Sequence, residues 1–172
     1  YIGNSMRIHH NLFVSFSLII LLSLSGLSLS TAVYASDKDR AAMMRYRNLF
    51  METKGKHAKA IKLLIKSKLS LKHIITHGEA LAAMADDMLI LFPAGTSGGK
   101  SRVTDSIWDK NGKLTDDFVA KVTAMRSQAQ EFVRVAKEGN YKKIKKQMGR
   151  FANKGCRSCH TDYRGEEFEP NK

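Results

Sequence analysis

The sequence predicts an all-α protein, an antiparallel four-helix bundle around one core. Three observations carry that expectation. Four segments place apolar residues at three- and four-residue steps, glycine and proline are dense in one long stretch between the second and third of them, and no strand-like alternation or internal repeat is found.

The first predicted helix runs from Asp37 to about Ser67 without a proline and carries Met44, Phe50, Met51, Ala58, Ile61 and Ile65 on one side. A second begins near Ser70 and places Leu71, Ile74, Ile75, Gly78, Leu81, Ala82, Ala85, Met88 and Leu89 in one stripe, until Phe92-Pro93 stops it. "FPAGTSGGKSRVTDSIWDKNGK" then reads as a long crossover, which Trp108 and Phe92 are expected to close over the bundle. Thr115 caps the third helix, with Asp116 and Asp117 at the positive end of its dipole. Its stripe is Phe118, Val122, Met125, Ala129, Phe132, Val133 and Ala136, and Gly139 and Asn140 end it. The fourth helix presents Tyr141, Ile144, Met148, Phe151, Ala152, Gly155 and Cys159 on one face. Met84, Met88, Met125 and Met148 are expected in the core.

Residues 1–35 stand apart. From Met6 the sequence reads "MRIHHNLFVSFSLIILLSLSGLSLSTAVYA", a basic opening, an apolar and serine-rich run, and small residues at Val33 and Ala35. This is the pattern of a secretory signal peptide cleaved after Ala35. The run is nearly long enough to span a bilayer, but serines dilute it and the cleavage pattern follows directly. The five residues before Met6 are expected to be upstream reading-frame translation. The mature chain is then residues 36–172, one bundle with one core. Of the formal charge of +13, only Arg7 belongs to the leader. An exported chain meets little nucleic acid, so this basicity points to acidic protein partners or an anionic membrane surface, beside the plain reading of a well-solvated face.

Chemistry concentrates in "GCRSCHTDYR", residues 155–164, which holds the only two cysteines of the chain. Cys156, Cys159 and His160 spell C-R-S-C-H, the attachment pattern of c-type haem. Residues three and four apart share a helical face, so two thiols and an imidazole could point at one flat cofactor. A structural zinc site needs about four ligands, and no second Cys or Cys/His pair with suitable spacing is present. A thioredoxin-like redox pair wants a helix N-terminus, and a plain disulfide is the remaining reading. Nothing resembles a nucleophile with an adjacent base, a phosphate loop or a metalloprotease helix, so no enzymatic activity is expected. His57, His73 and His77 are expected at the surface or in interhelical packing.

Taken together, "YRNLFMETKGKH", "HGEALAAMA", "LFPAGTSGG", "SIW" and "GCRSCHTDYR" resemble the class II c-type cytochromes, the cytochrome c′ and cytochrome c-556 family, from about Arg40 to Arg164. The resemblance implies a four-helix bundle with one haem c attached through Cys156 and Cys159 near the C-terminus, and His160 as proximal iron ligand. It also implies a periplasmic location, Arg164 beside the proximal imidazole, and Arg47 near a haem propionate. Met51 matches a position on the distal side of the haem. Its thioether either binds iron as sixth ligand, giving a low-spin c-556-like electron carrier, or fills space over an open iron that binds nitric oxide or carbon monoxide, as in cytochrome c′. The electron carrier with His/Met iron is the first expectation and the gas binder the alternative. Gly55 matches a small position that would let a neighbouring helix or the haem edge approach, and His77 a position where the family often has histidine. Expected partners are acidic periplasmic redox proteins, a small gas ligand and a second copy of the chain through the first two helices.

Overall fold

The structure, a computed structural model, describes residues 36–98 and 101–166. The expected leader and most of the polar tail lie outside these residues. Among them are four long helical rods and no strand beyond two isolated bridges. No helix among them is long and apolar enough to cross a membrane.

Helix α1 (Asp37–Lys66) opens with a capping box: Ser36 accepts from the Asp39 amide, and the Asp39 carboxylate accepts from the Ser36 amide. It ends where Lys68 turns into the left-handed region, φ 49°. Ser70 then caps α2 (Leu71–Asp86) by accepting from the His73 amide. Thr115 and Asn140 do the same for α3 (Asp116–Lys137) and α4 (Tyr141–Arg150). Gly139 supplies the positive φ of 75° between those two. The observed α1 and α3 agree with the periodicity, but α2 stops at Asp86 and Met88 to Phe92 wind as a short 3-10 turn, Leu89–Leu91. Asp86 and Asp87 place two negative charges at the helix C-terminus, where the dipole is already negative.

Ile61, Ile74, Leu81, Val122, Ala129, Phe132, Ile144 and Phe151 are essentially inaccessible and interlock at the centre. At about 25 cal/mol per Å² of apolar surface, each large side chain among them stabilises the bundle by roughly 1.5–3 kcal/mol. The α2–α3 contact is the closest. A Cβ on Gly78 would lie 2.9 Å from the Phe132 ring, so glycine at this position leaves the ring its place against α2.

The crossover is tied down by hydrogen bonds, since it has little apolar surface of its own. Trp108 Nε1 donates to the Phe92 carbonyl at 3.0 Å, as the expected closure requires, and Phe92 packs edge-on against Phe118. Arg47 supplies the main anchor. It is 1 % exposed. Its Nη1 donates to the Leu91 carbonyl (3.1 Å) and Thr96 Oγ1 (2.8 Å), and its Nη2 to the Thr96 carbonyl and to Ser101 Oγ (2.6 Å). The guanidinium also sits 5.1 Å from the Phe92 ring centre.

The fourth rod changes winding. After α4 comes a π-helical stretch, Phe151–Arg157, and then α5 (Ser158–Tyr163). Gly155 sits in the π stretch where a Cβ would lie 3.0 Å from the Phe151 ring and 3.3 Å from Met125 Cγ. Ser158 Oγ donates back to the carbonyls of Lys154 (2.8 Å) and Gly155 (3.2 Å), taking up acceptors in the widened turn. The end of the rod is pinned to the crossover: Arg164 bridges Val103, the Gly165 amide donates to the Arg102 carbonyl (2.7 Å), and the Thr104 amide donates to the Tyr163 carbonyl (3.2 Å).

Candidate haem site

The π stretch and α5 together present the chemistry. Cys156 lies in the former, Cys159 and His160 in the latter. The widened turn contains the first cysteine and leads directly to the second, and π-bulges often mark a functional site. Both cysteines are free thiols and half-buried, and Cys156 packs against the core. Burial pushes both thiols above their ordinary range, partly opposed by the nearby Lys54 ammonium. They are therefore neutral at physiological pH, unlike the thiolates of a metal site. Among the described residues no three His, Cys, Asp or Glu side chains are grouped to hold a metal ion, so zinc finds no ligand set.

His160 is held below the ordinary histidine range, first by desolvation and then by the cations of Arg164, Lys54 and Arg102. A neutral imidazole is the form that binds iron. Arg164, one turn beyond His160, thus acts electrostatically on the expected ligand. Arg102 does the same from the crossover, held there by donating from Nε to the Gly165 carbonyl at 3.0 Å. Nothing in its local sequence marks Arg102, because only the pairing of crossover and C-terminus brings it near.

Across the bundle, Arg47, Met51 and Lys54 follow at four- and three-residue steps on α1. Met51 is half-buried and packs against the core. Arg47 was expected at a haem propionate; in the structure both terminal nitrogens are committed to the crossover, and only Nε, buried and unbonded, is left for such a partner. Burial without a carboxylate lowers its pKa to about 10, still cationic at neutral pH. Lys54 escaped sequence reasoning. It is 7 % exposed and its Nζ rests 3.1 Å from Met125 Sδ and 3.5 Å from Met88 Sδ. The readable signal was its position: in the series 47, 51, 54, 58, 61, 65 it is a lysine on the core stripe.

Two other expectations change. Gly55 is exposed and a Cβ there would meet nothing within 4 Å, so no neighbouring helix approaches it. His57 and His77 do pack between helices, but as a pair: their Nδ1 atoms are 2.8 Å apart and the ring centres 5.1 Å apart, joining α1 to α2. Their separation of 20 residues hid this from the sequence. His73 is exposed.

The donor set fits haem c. Two neutral thiols can form thioether bonds, a neutral imidazole can bind iron, and two buried cationic side chains, Arg47 at Nε and Lys54 at Nζ, have donors without an oxygen acceptor. The sequence model of the Cytochrome C′ family matches residues 42–164. The cytochrome c′ of Pararhodospirillum photometricum is 28% identical over 125 residues, covering 72% of this chain and 96% of its own. Among solved structures, a cytochrome c′ with ligand-controlled dimer dissociation superposes with a TM-score of 0.66 at 21% identity, over 74% of this chain and 97% of the other. A ferrous variant of Alcaligenes xylosoxidans cytochrome c′ with bound NO does so with a TM-score of 0.64 at 19% identity, over 74% and 97%. The family match spans every element from α1 to the C-R-S-C-H end, the same stretch that physical reading assigns to one haem-carrying bundle, and so the chain belongs to the cytochrome c′ family.

Proposed function

We propose that this protein is an exported, periplasmic haem c protein of the cytochrome c′ kind, whose five-coordinate iron binds nitric oxide or carbon monoxide behind Met51. The observation that supports this over the c-556-like reading is the family match itself, joined by the packing of Met51 into the apolar cluster, the ordinary place of a helical methionine. Cys156 and Cys159 would hold the haem and His160 its iron; once bound, haem supplies a one-electron couple and an open coordination position. The chain's own residues set the rest. Arg164 and Arg102 would oppose any imidazolate character in His160 and so lower its donor strength toward a bound iron. Arg47 clamps the crossover to α1 and so fixes the helix that carries Met51. The Met51 thioether excludes bulky ligands by volume. The role is that of a carrier or binder, with no catalytic group of the chain taking part.

Electron exchange remains the coarser property of this haem-binding class. A groove of about 1080 Å³ between the end of α1 and α4 supports docking of an acidic redox protein: Lys62, Lys66, Lys145 and Arg157 line it over Ile65 and Met148, with no acidic residue in its wall. Arg157 lies between the two cysteines in sequence, which brings this basic surface to the haem attachment. A second copy of the chain would find exposed Tyr46 and Leu49 on the first half of α1, and sedimentation showing a monomer at micromolar concentration removes that dimer.

The experiment is carbon monoxide binding to the ferrous holoprotein and its Met51→Ala variant. Relief of packing accelerates binding by roughly tenfold or more, about 1.4 kcal/mol at the barrier, while the spin state stays high. A low-spin wild type that turns high-spin only in the variant makes Met51 a ligand and returns electron transfer to first place.

A further inference from the structure

Among the described residues Lys54 is the one buried lysine, and ordinary folding gives no reason for it. A buried ammonium is normally paired with a carboxylate or satisfied by oxygen acceptors, because unpaired burial costs several kcal/mol. Here the partners of Nζ are two thioether sulfurs, weak acceptors, with the Phe50 ring 5.9 Å away. Burial brings its pKa down to about 8, so the cation is retained at neutral pH at a cost. The charge lies near the C-R-S-C-H end of the chain. It acts on both Cys156 and Cys159 and on His160, and its contact Met125 touches the Gly155 position that precedes Cys156.

We infer that Lys54 is a specificity-determining cation of the haem site, whose buried ammonium favours reduced iron over oxidised iron and favours anionic over neutral ligands on ferric iron. The inference rests on the haem reading. Oxidation adds one positive charge to the site, and an anionic ligand removes one; a fixed cation in a medium of low dielectric opposes the first and rewards the second. Met51 and the apolar cluster supply no competing charge on this side. The costly burial is thereby explained: the cation is kept for the cofactor, since the apoprotein gains nothing from it.

The test uses the holoprotein and the variants Lys54→Met, Lys54→Gln and Lys54→Arg. Lys54→Met suits the sulfur-rich surroundings and removes an unpaired buried charge, so it folds, with a raised thermal midpoint. Lys54→Gln guards against any effect of shape alone. Both neutral variants shift the one-electron equilibrium toward ferric iron by about tenfold or more, 59 mV for a one-electron couple. They also lower the ratio of azide to imidazole affinity of ferric protein by a similar factor, and Lys54→Arg restores both. Changes under twofold in both readouts overturn the inference and leave the haem reading intact. So does a wild-type low-spin, nitrogen-ligated spectrum that disappears in Lys54→Met, because Lys54 would then be bound to iron as the amine. Absence of covalent haem in the wild type, read by its pyridine haemochrome, overturns the haem reading and the inference with it.

Discussion

Replacing Arg47 with methionine separates a loop anchor from a propionate partner. Four hydrogen bonds from the charged guanidinium reach the Leu91 and Thr96 carbonyls and the Thr96 and Ser101 hydroxyls. At roughly 1.5 kcal/mol for each bond to a charged group, they contribute about 6 kcal/mol. Against this stands the burial that pushes the guanidinium down from its ordinary range to about 10, a cost of about 3 kcal/mol at 1.36 kcal/mol per unit. The hydroxyls keep other partners, Thr96 Oγ1 through the Pro93 carbonyl and Ser101 Oγ through the Val103 amide. Arg47→Met is therefore expected to destabilise the protein by about 3 kcal/mol. With a slope near 2 kcal/mol per M, the urea midpoint of the holoprotein falls by about 1.5 M. A double-mutant cycle with Thr96→Val gives a coupling of about 1 kcal/mol or more. A midpoint lowered by less than about 0.3 M, or zero coupling to Thr96, would refute the anchoring argument and hand the guanidinium to the haem carboxylates.

Three further outcomes follow from the packing and charge. Gly78→Ala forces a Cβ to 2.9 Å from a fully buried Phe132 ring and should cost about 1–3 kcal/mol in urea unfolding; Gly55→Ala, with nothing within 4 Å, should gain up to about 1 kcal/mol from helix propensity. His57 is held below its ordinary pKa by burial and then by His77. Its neutral form is thus preferred in the folded state, so stability is present above the unfolded value of 6.5 and is lost as pH falls below it; the thermal midpoint should drop between pH 7 and 5, and His57→Asn should flatten the drop. Reduction by an acidic redox protein should slow as salt is raised past the range where screening lengths reach ~8 Å, and Lys66→Glu with Lys145→Glu should abolish that dependence. A rate indifferent to salt in the wild type would remove the groove as a docking site.

The sequence made the four rods legible because their signals are local. Ser70 and Thr115 cap helices within three residues, and the stripes from Ile61 to Phe151 need only periodicity. Cys156, Cys159 and His160 were legible for the same reason, as one short motif. What was hidden depended on contacts made far along the chain. Arg47 meets the crossover across 44 to 54 residues, His57 meets His77 across 20, and Arg102 reaches the C-terminus across 63. The π winding of residues 151–157 was illegible for a different reason. A π stretch of this length displaces the apolar spacing by only about a residue per turn, and Gly155 is tolerated by either winding. Lys54 stood in plain view on the core stripe, but a stripe defined by apolar residues passes over the one cation that breaks it.

In the proposed site a haem iron would take His160 on one side and keep an open position behind Met51 on the other. This arrangement is tested most directly by the absorption spectrum of the holoprotein, ferric and ferrous, with and without carbon monoxide. A broad high-spin spectrum that changes when the gas is added is expected. A sharp low-spin ferrous spectrum indifferent to carbon monoxide, with a far-red sulfur-to-iron band in the ferric state, would contradict it and place the Met51 sulfur on the iron.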